Sequence, residues 1–215
     1  MSHWRMIFRR GGRLLLRFLF RVLTRLEVQG LGRVPMEGPL LVAFNHLAHL
    51  DGPLIVAFLP REVEGIALSD LHEVPVTGQL LRLYGTIPVH RDEFDWAVLR
   101  RSLWVLDEGK ALALAPEARM SLTGALERAR HGVAYLALRS GAPILPVALT
   151  GTELIPGALR SLRRVPVTMT VGEVCNPPPR VEDPALRHAQ VEEVTEAIML
   201  RIAALLPPEY RGEYG

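Results

Sequence analysis

The sequence predicts an α/β fold, a mixed and largely parallel sheet covered by helices, with an amphipathic helix at the amino terminus. Three observations carry this. Short apolar segments alternate with stretches of helical periodicity along most of the 215 residues, the pattern of strands joined by crossover helices. The strand candidates are apolar almost throughout, as strands covered on both faces are. Glycine, proline or asparagine marks most junctions between segments, where turns are expected.

Residues 4–26 form the first element. Arginine recurs there as Arg5, Arg9, Arg13, Arg17, Arg21 and Arg25, opposite Ile7, Phe8, Leu14, Leu15, Phe18, Leu19, Val22 and Leu26. This is an amphipathic helix. Its apolar runs are too short for the ~20 residues a spanning helix needs, and the arginines interrupt what a secretory signal keeps unbroken. It reads as a helix lying in a membrane interface, apolar face among acyl chains and arginines against anionic headgroups. The alternative is a helix packed on the domain by its apolar face, with solvated arginines.

A turn at Gly30-Leu31-Gly32 precedes a strand over 39–44. A helix over 52–59 follows, with Asp51 as N-cap and Pro53 in its first turn. Next come a strand over 65–68, a helix over 76–84 ended by Gly85, and a strand over 86–90 whose Pro88 puts it at an edge. Helical periodicity covers 93–107, with Gly109 as the stop, and 111–115 is a buried strand. A helix over 130–139, strands over 144–150 and 165–171, the loop Pro177-Pro178-Pro179 and a helix over 184–206 complete the chain.

Composition bounds the function. With 49% hydrophobic and 22% charged residues, no repeat and no low-complexity stretch, the chain is a folded protein of about one domain. We divide it into a membrane-associating helix, 1–27, and an α/β domain, 28–215. Cys175 is the only cysteine, which excludes an intrachain disulfide and a cysteine metal cluster and fits a reducing compartment. Lys110 is the only lysine and the net charge is +2, yet seven arginines precede the first acidic residue, Glu27. That asymmetry points to an anionic partner. A membrane suits it better than nucleic acid, because the arginines oppose a wide apolar face and no nucleic-acid motif is present.

In α/β folds reactive groups gather at the carboxyl ends of strands, which here selects His46, Arg91 and Glu117. His46 follows the first buried strand and Asp51 lies five residues on. A histidine takes a proton from an alcohol, and a carboxylate on its other ring nitrogen fixes the tautomer. The pair is therefore either a general base with its orienting partner or a loop histidine beside a helix cap. His49 allows a third idea, a metal held by His46, His49 and Asp51, but no second histidine–carboxylate cluster supports it. Arg91 is either a surface charge or a phosphate clamp. Glu117 and Arg119, directly after the most apolar strand, are either an ion pair or a binding group.

Four blocks taken together resemble the glycerolipid acyltransferase family, which includes 1-acylglycerol-3-phosphate acyltransferases and related lysophospholipid acyltransferases. They are Asn45-His46-Leu47-Ala48-His49-Leu50-Asp51, Gly85-Thr86-Ile87-Pro88-Val89-His90-Arg91, Pro116-Glu117-Ala118-Arg119-Met120-Ser121 and Ala142-Pro143-Ile144-Leu145-Pro146-Val147. Order and spacing match the family pattern over roughly residues 28–174. Two positions depart from it: Ala48 stands where many members have serine, and Ala118 replaces the glycine of the third block, a residue that permits positive φ and close approach of a phosphate.

The resemblance implies transfer of a fatty acyl group from an acyl-CoA or acyl-carrier-protein thioester to the hydroxyl of lysophosphatidic acid or a similar lysophospholipid. It implies His46 as general base with Asp51 as its partner, and Asn45, Arg91, Glu117 and Arg119 as substrate-binding residues. No metal or cofactor is expected, since a thioester is already activated. The expected place is the cytoplasmic face of the cell membrane, peripherally bound, with acyl carrier protein as a further partner. A metal-dependent hydrolase and a non-enzymatic lipid-binding module are the other readings.

Overall fold

The computed structural model describes residues 3–90, 95–161 and 163–215. In chain order the elements are α1 (His3–Leu23), β1 (Thr24–Gln29), β2 (Leu40–Phe44), α2 (Asp51–Phe58), β3 (Val63–Leu68), α3 (Ser69–Glu73), α4 (Pro75–Tyr84), β4 (Ile87–Val89), α5 (Trp96–Asp107), β5 (Ala111–Leu114), α6 (Gly132–Ser140), β6 (Ile144–Thr150), α7 (Ile155–Ser161), β7 (Val165–Val171) and α8 (Arg187–Ala203). The strands form one seven-stranded sheet in the order β1-β7-β6-β2-β5-β3-β4. Every neighbouring pair is parallel except β6 and β7. The predicted mixed, largely parallel α/β sheet is therefore the observed one.

The pleat explains why the inner strands read as unbroken apolar runs. Leu41 and Ala43 of β2 join a core with α5, α6 and α8 on one face. Leu40, Val42 and Phe44 join a second core with Phe20 of α1, α2 and α7 on the other. Both faces of β2 are covered, so all five of its residues are buried.

Three elements depart from the sequence reading. The helix expected over 4–26 gives way to β1 at Thr24, where the Thr24 hydroxyl donates to Phe20 O at 2.6 Å and the Arg164 guanidinium donates to Arg21 O and Thr24 O. These bonds satisfy carbonyls that the ending helix leaves open, and the chain continues as an edge strand beside β7. The boundary expected between 27 and 28 falls inside β1. The short helices α3 and α7 lie in stretches to which the sequence reading assigns no element. The first residues of the helix expected over 93–107 lie partly outside the described residues, and α5 begins at Trp96 with Asp95 capping the amides of Ala97 and Val98.

The seating of α1 reverses the expected orientation. Arg9 is 3% exposed, forks onto Glu64 at 2.6 and 2.8 Å and reaches Tyr84 O at 2.7 Å. Arg13 donates to Leu59 O and Arg17 to Ala57 O, while Arg21 lies over the Phe58 ring. The carbonyls of Ala57 and Leu59 belong to the end of α2, which carries partial negative charge and welcomes cations. Three arginines thus face the domain and not a headgroup layer. The outward face of α1 is Trp4, Ile7, Leu14, Leu15, Phe18 and Val22, with Trp4 80% and Phe18 62% exposed.

Candidate active site

Buried β2 delivers the chain into a loop, 45–50, that precedes α2. Asn45 anchors the start of that loop. Its amide donates to Leu149 O at 2.9 Å and its carbonyl accepts from Leu149 N at 2.7 Å, which pins the loop to β6. Asn45 is buried, and both polar ends of its side chain are engaged there.

The Asp51 carboxylate lies inside the turn that follows. Oδ2 accepts from Leu47 N at 2.6 Å, Ala48 N at 2.7 Å and His46 Nδ1 at 2.8 Å. Oδ1 accepts from the Thr152 hydroxyl at 2.5 Å. Asp51 is fully buried. The expectation that it caps α2 is corrected: Leu50 occupies the cap position without a side-chain bond, and the carboxylate turns back into the loop, where two amides and an imidazole already converge.

With Nδ1 donating to a carboxylate, the lone pair of His46 sits on Nε2. The His46 side chain is 25% exposed, and no protein partner of Nε2 is found among the described residues. The imidazole is also packed edge to face against Phe44, with ring centres 6.1 Å apart. A base held at one nitrogen and open at the other is able to take a proton from an incoming hydroxyl.

A second loop, 115–131, holds the backbone of His46 from the far side. Glu117 is 3% exposed; its Oε2 accepts from His46 N at 2.9 Å and its Oε1 from Glu127 N at 2.9 Å. Ser121 N donates to His46 O at 2.7 Å. Both backbone polar groups of His46 are thereby fixed by one loop. Burial pushes the Glu117 carboxyl up to about 7, against the pull of the two amides it accepts from. Ala118 has φ +56 and is exposed, the positive φ that the family glycine would supply freely.

Arg119 is half-exposed and donates to Glu127 at 2.5 Å. The Leu122 amide, together with Arg119, holds the Glu127 carboxyl below its usual range. Arg91 lies outside the described residues. His49 is exposed, and among the described residues no group of three His, Cys, Asp or Glu is gathered to hold a metal ion.

The structure therefore brings together His46, Asp51, Asn45 and Glu117, with Arg119 on the loop that embraces them. They come from the carboxyl ends of neighbouring strands, β2 and β5. Thr152 completes the group from β6, the strand on the other side of β2. Sequence reasoning missed Thr152, Ser121 and Glu127. Thr152 had one available signal, a hydroxyl residue directly after a strand end.

Comparison with known proteins identifies the family. A family model described as "Acyltransferase" matches residues 25–150. A 1-acyl-sn-glycerol-3-phosphate acyltransferase of Limnanthes douglasii is 32% identical over 130 residues, covering 58% of this chain and 46% of that protein. A chloroplastic 1-acyl-sn-glycerol-3-phosphate acyltransferase of Brassica napus is 26% identical over 132 residues, covering 60% of this chain and 38% of that protein. The chain thus spans less than half the length of these relatives. The crystal structure of the 1-acyl-sn-glycerophosphate acyltransferase PlsC from Thermotoga maritima superposes with a TM-score of 0.69 at 23% identity, covering 90% of this chain and 79% of that one. That likeness shows a shared fold.

Proposed function

Since the chain belongs to the glycerolipid acyltransferase family, we propose that it moves a fatty acyl group from an acyl thioester to the free hydroxyl of lysophosphatidic acid or a similar lysophospholipid. The observation that carries this is His46, tied to Asp51 through Nδ1 at 2.8 Å and open at Nε2. In the proposed reaction Nε2 takes the proton of the acceptor hydroxyl as its oxygen attacks the thioester carbonyl. The tetrahedral intermediate collapses, the carbon–sulfur bond breaks, and the departing thiolate receives the proton back from the imidazolium. Asp51 keeps the imidazole in one tautomer and stabilises its charged form. No cofactor is called for, because the thioester supplies the activation.

Arg119, half-exposed on the loop that holds the His46 backbone, and Arg91 are the proposed contacts for the acceptor's phosphate. Asn45 and Glu117, expected to bind substrate, are buried with their side chains engaged by backbone groups, and in this proposal they hold the loop that carries the base. The donor is acyl-CoA or acyl carrier protein, and an assay with both carriers and several lysolipids separates them.

The proposed site of action is the cytoplasmic membrane face, reached peripherally. Support comes from the outward apolar side of α1 and from its neighbour α4, where Val76, Leu80 and Leu83 are exposed on one face. Among the described residues no helix is long and apolar enough to cross a membrane.

The test is His46→Ala. The parent should acylate lysophosphatidic acid from a thioester, and the variant should lose at least roughly a thousandfold in kcat, of the order expected when a general base is removed. A variant as fast as the parent rules the mechanism out. Release of free fatty acid without acceptor acylation points to a hydrolase instead.

A further inference from the structure

We propose that Thr152 is a positioning residue of the reaction, acting through Asp51 on His46. This rests on the acyltransfer reading above. The Asp51 carboxylate has two oxygens in unequal company. Oδ2 takes three donors, two of them backbone amides of the same turn and the third His46 Nδ1. Oδ1 takes one, the Thr152 hydroxyl, from a residue 101 positions away.

Three donors on one oxygen fix its position but leave the carboxylate plane free to turn about that point. The bond to Oδ1 removes this freedom. The plane of the carboxylate sets the direction along which Nδ1 donates, and hence where Nε2 points. A rotation of the dyad that costs little energy would move the base away from the attacking hydroxyl, and misplacement by about 1 Å is enough to slow chemistry about a hundredfold.

The fold holds Thr152 firmly in place. It is fully buried and sits at the end of β6, next to β2 in the sheet. The preceding Gly151 has φ +79, and a Cβ there would lie 2.1 Å from Pro166 O. Only glycine makes that turn against β7, so the chain is aimed at Asp51 by a residue chosen for its lack of a side chain. Asn45 ties the His46 loop to Leu149 on the same strand. The base and its positioning hydroxyl are therefore referred to one strand, and Thr152 lies just beyond residues 25–150, where the family model ends.

The experiment compares Thr152→Val, which keeps the shape and deletes the donor, with Thr152→Ser, which keeps the donor. Acyl transfer to lysophosphatidic acid is measured on the folded fraction. The valine variant should lose at least tenfold in kcat with KM for both substrates within twofold of the parent, and the serine variant should stay within threefold in kcat. In a His46→Ala background the valine change should add no further loss, as for residues acting as a unit. An independent readout is the downfield proton NMR signal of His46 Nδ1–H, identified by its absence in His46→Ala. It should shift or broaden in Thr152→Val and return in Thr152→Ser, whether or not this acceptor is the right one. A valine variant with parental kcat and an unmoved signal overturns the proposal, as does a serine variant that falls as far as valine. A parent that transfers no acyl group, with the signal behaving as expected, overturns the acyltransfer reading and not the positioning role.

Discussion

Ala118 carries a positive φ of +56 within the loop that grips His46. An L-residue in that region costs about 1–2 kcal/mol, whereas glycine there costs only about 0.5–1 kcal/mol through the freer unfolded chain. Ala118→Gly is therefore expected to stabilise the protein by about 0.5–1 kcal/mol, read as a rise in thermal midpoint. Glu117 gives a second prediction at this scale. Because its carboxyl is pushed up to about 7 from an ordinary 4.5, the folded chain keeps a proton that the unfolded chain has already released. Stability should fall as the pH rises across that interval. Thermal melts across the interval should show this decline in the parent, and Glu117→Gln should lack it. His46 and Asp51 were legible in the sequence because they lie in one turn. Thr152 and Ser121 were not, since their bonds to that turn depend on which strands become neighbours. The need for positive φ at position 118 was legible from the glycine it replaces; Arg91, expected beside them, lies outside the described residues.

Among the elements, α1 has the clearest consequence. The sequence period showed that arginines and apolar residues occupy opposite faces, but period alone does not say which face turns inward. The answer depended on partners distant in sequence: open carbonyls at the end of α2 and the carboxylates of Glu62 and Glu64. With these met, the arginine face docks and the apolar face is left outside. Leu15→Glu with Phe18→Glu should weaken binding to vesicles of phosphatidylglycerol and phosphatidylcholine roughly a hundredfold, from about 1.5 kcal/mol or more for each buried side chain. Sedimentation measures it, and circular dichroism should show the fold intact. Unchanged sedimentation would remove α1 as the docking element. Truncation of residues 1–26 is a poorer test, because it also removes half of β1 and the buried Phe20. β1 itself was hidden by polar residues that continue the helical period into an edge strand.

At the scale of the whole molecule, the alternation of apolar strands with helices was enough to find the sheet, and the antiparallel turn at β7 was not, because strand direction leaves no mark on composition. What the assembled fold adds is a measure of distance. α2 has Asp51, the partner of His46, as its first residue and meets the arginines of α1 at its far end. At about 1.5 Å per residue, its eight residues make a spacer of about 12 Å. If α1 lies at the lipid surface by its outward face, the imidazole stands from that surface by up to this spacer and the width of α1, about 10 Å more. On the proposed function, a lysolipid's head has to rise by as much as that distance to meet the base, and the length of tail it draws out of the leaflet is set by how α1 and α2 are stacked.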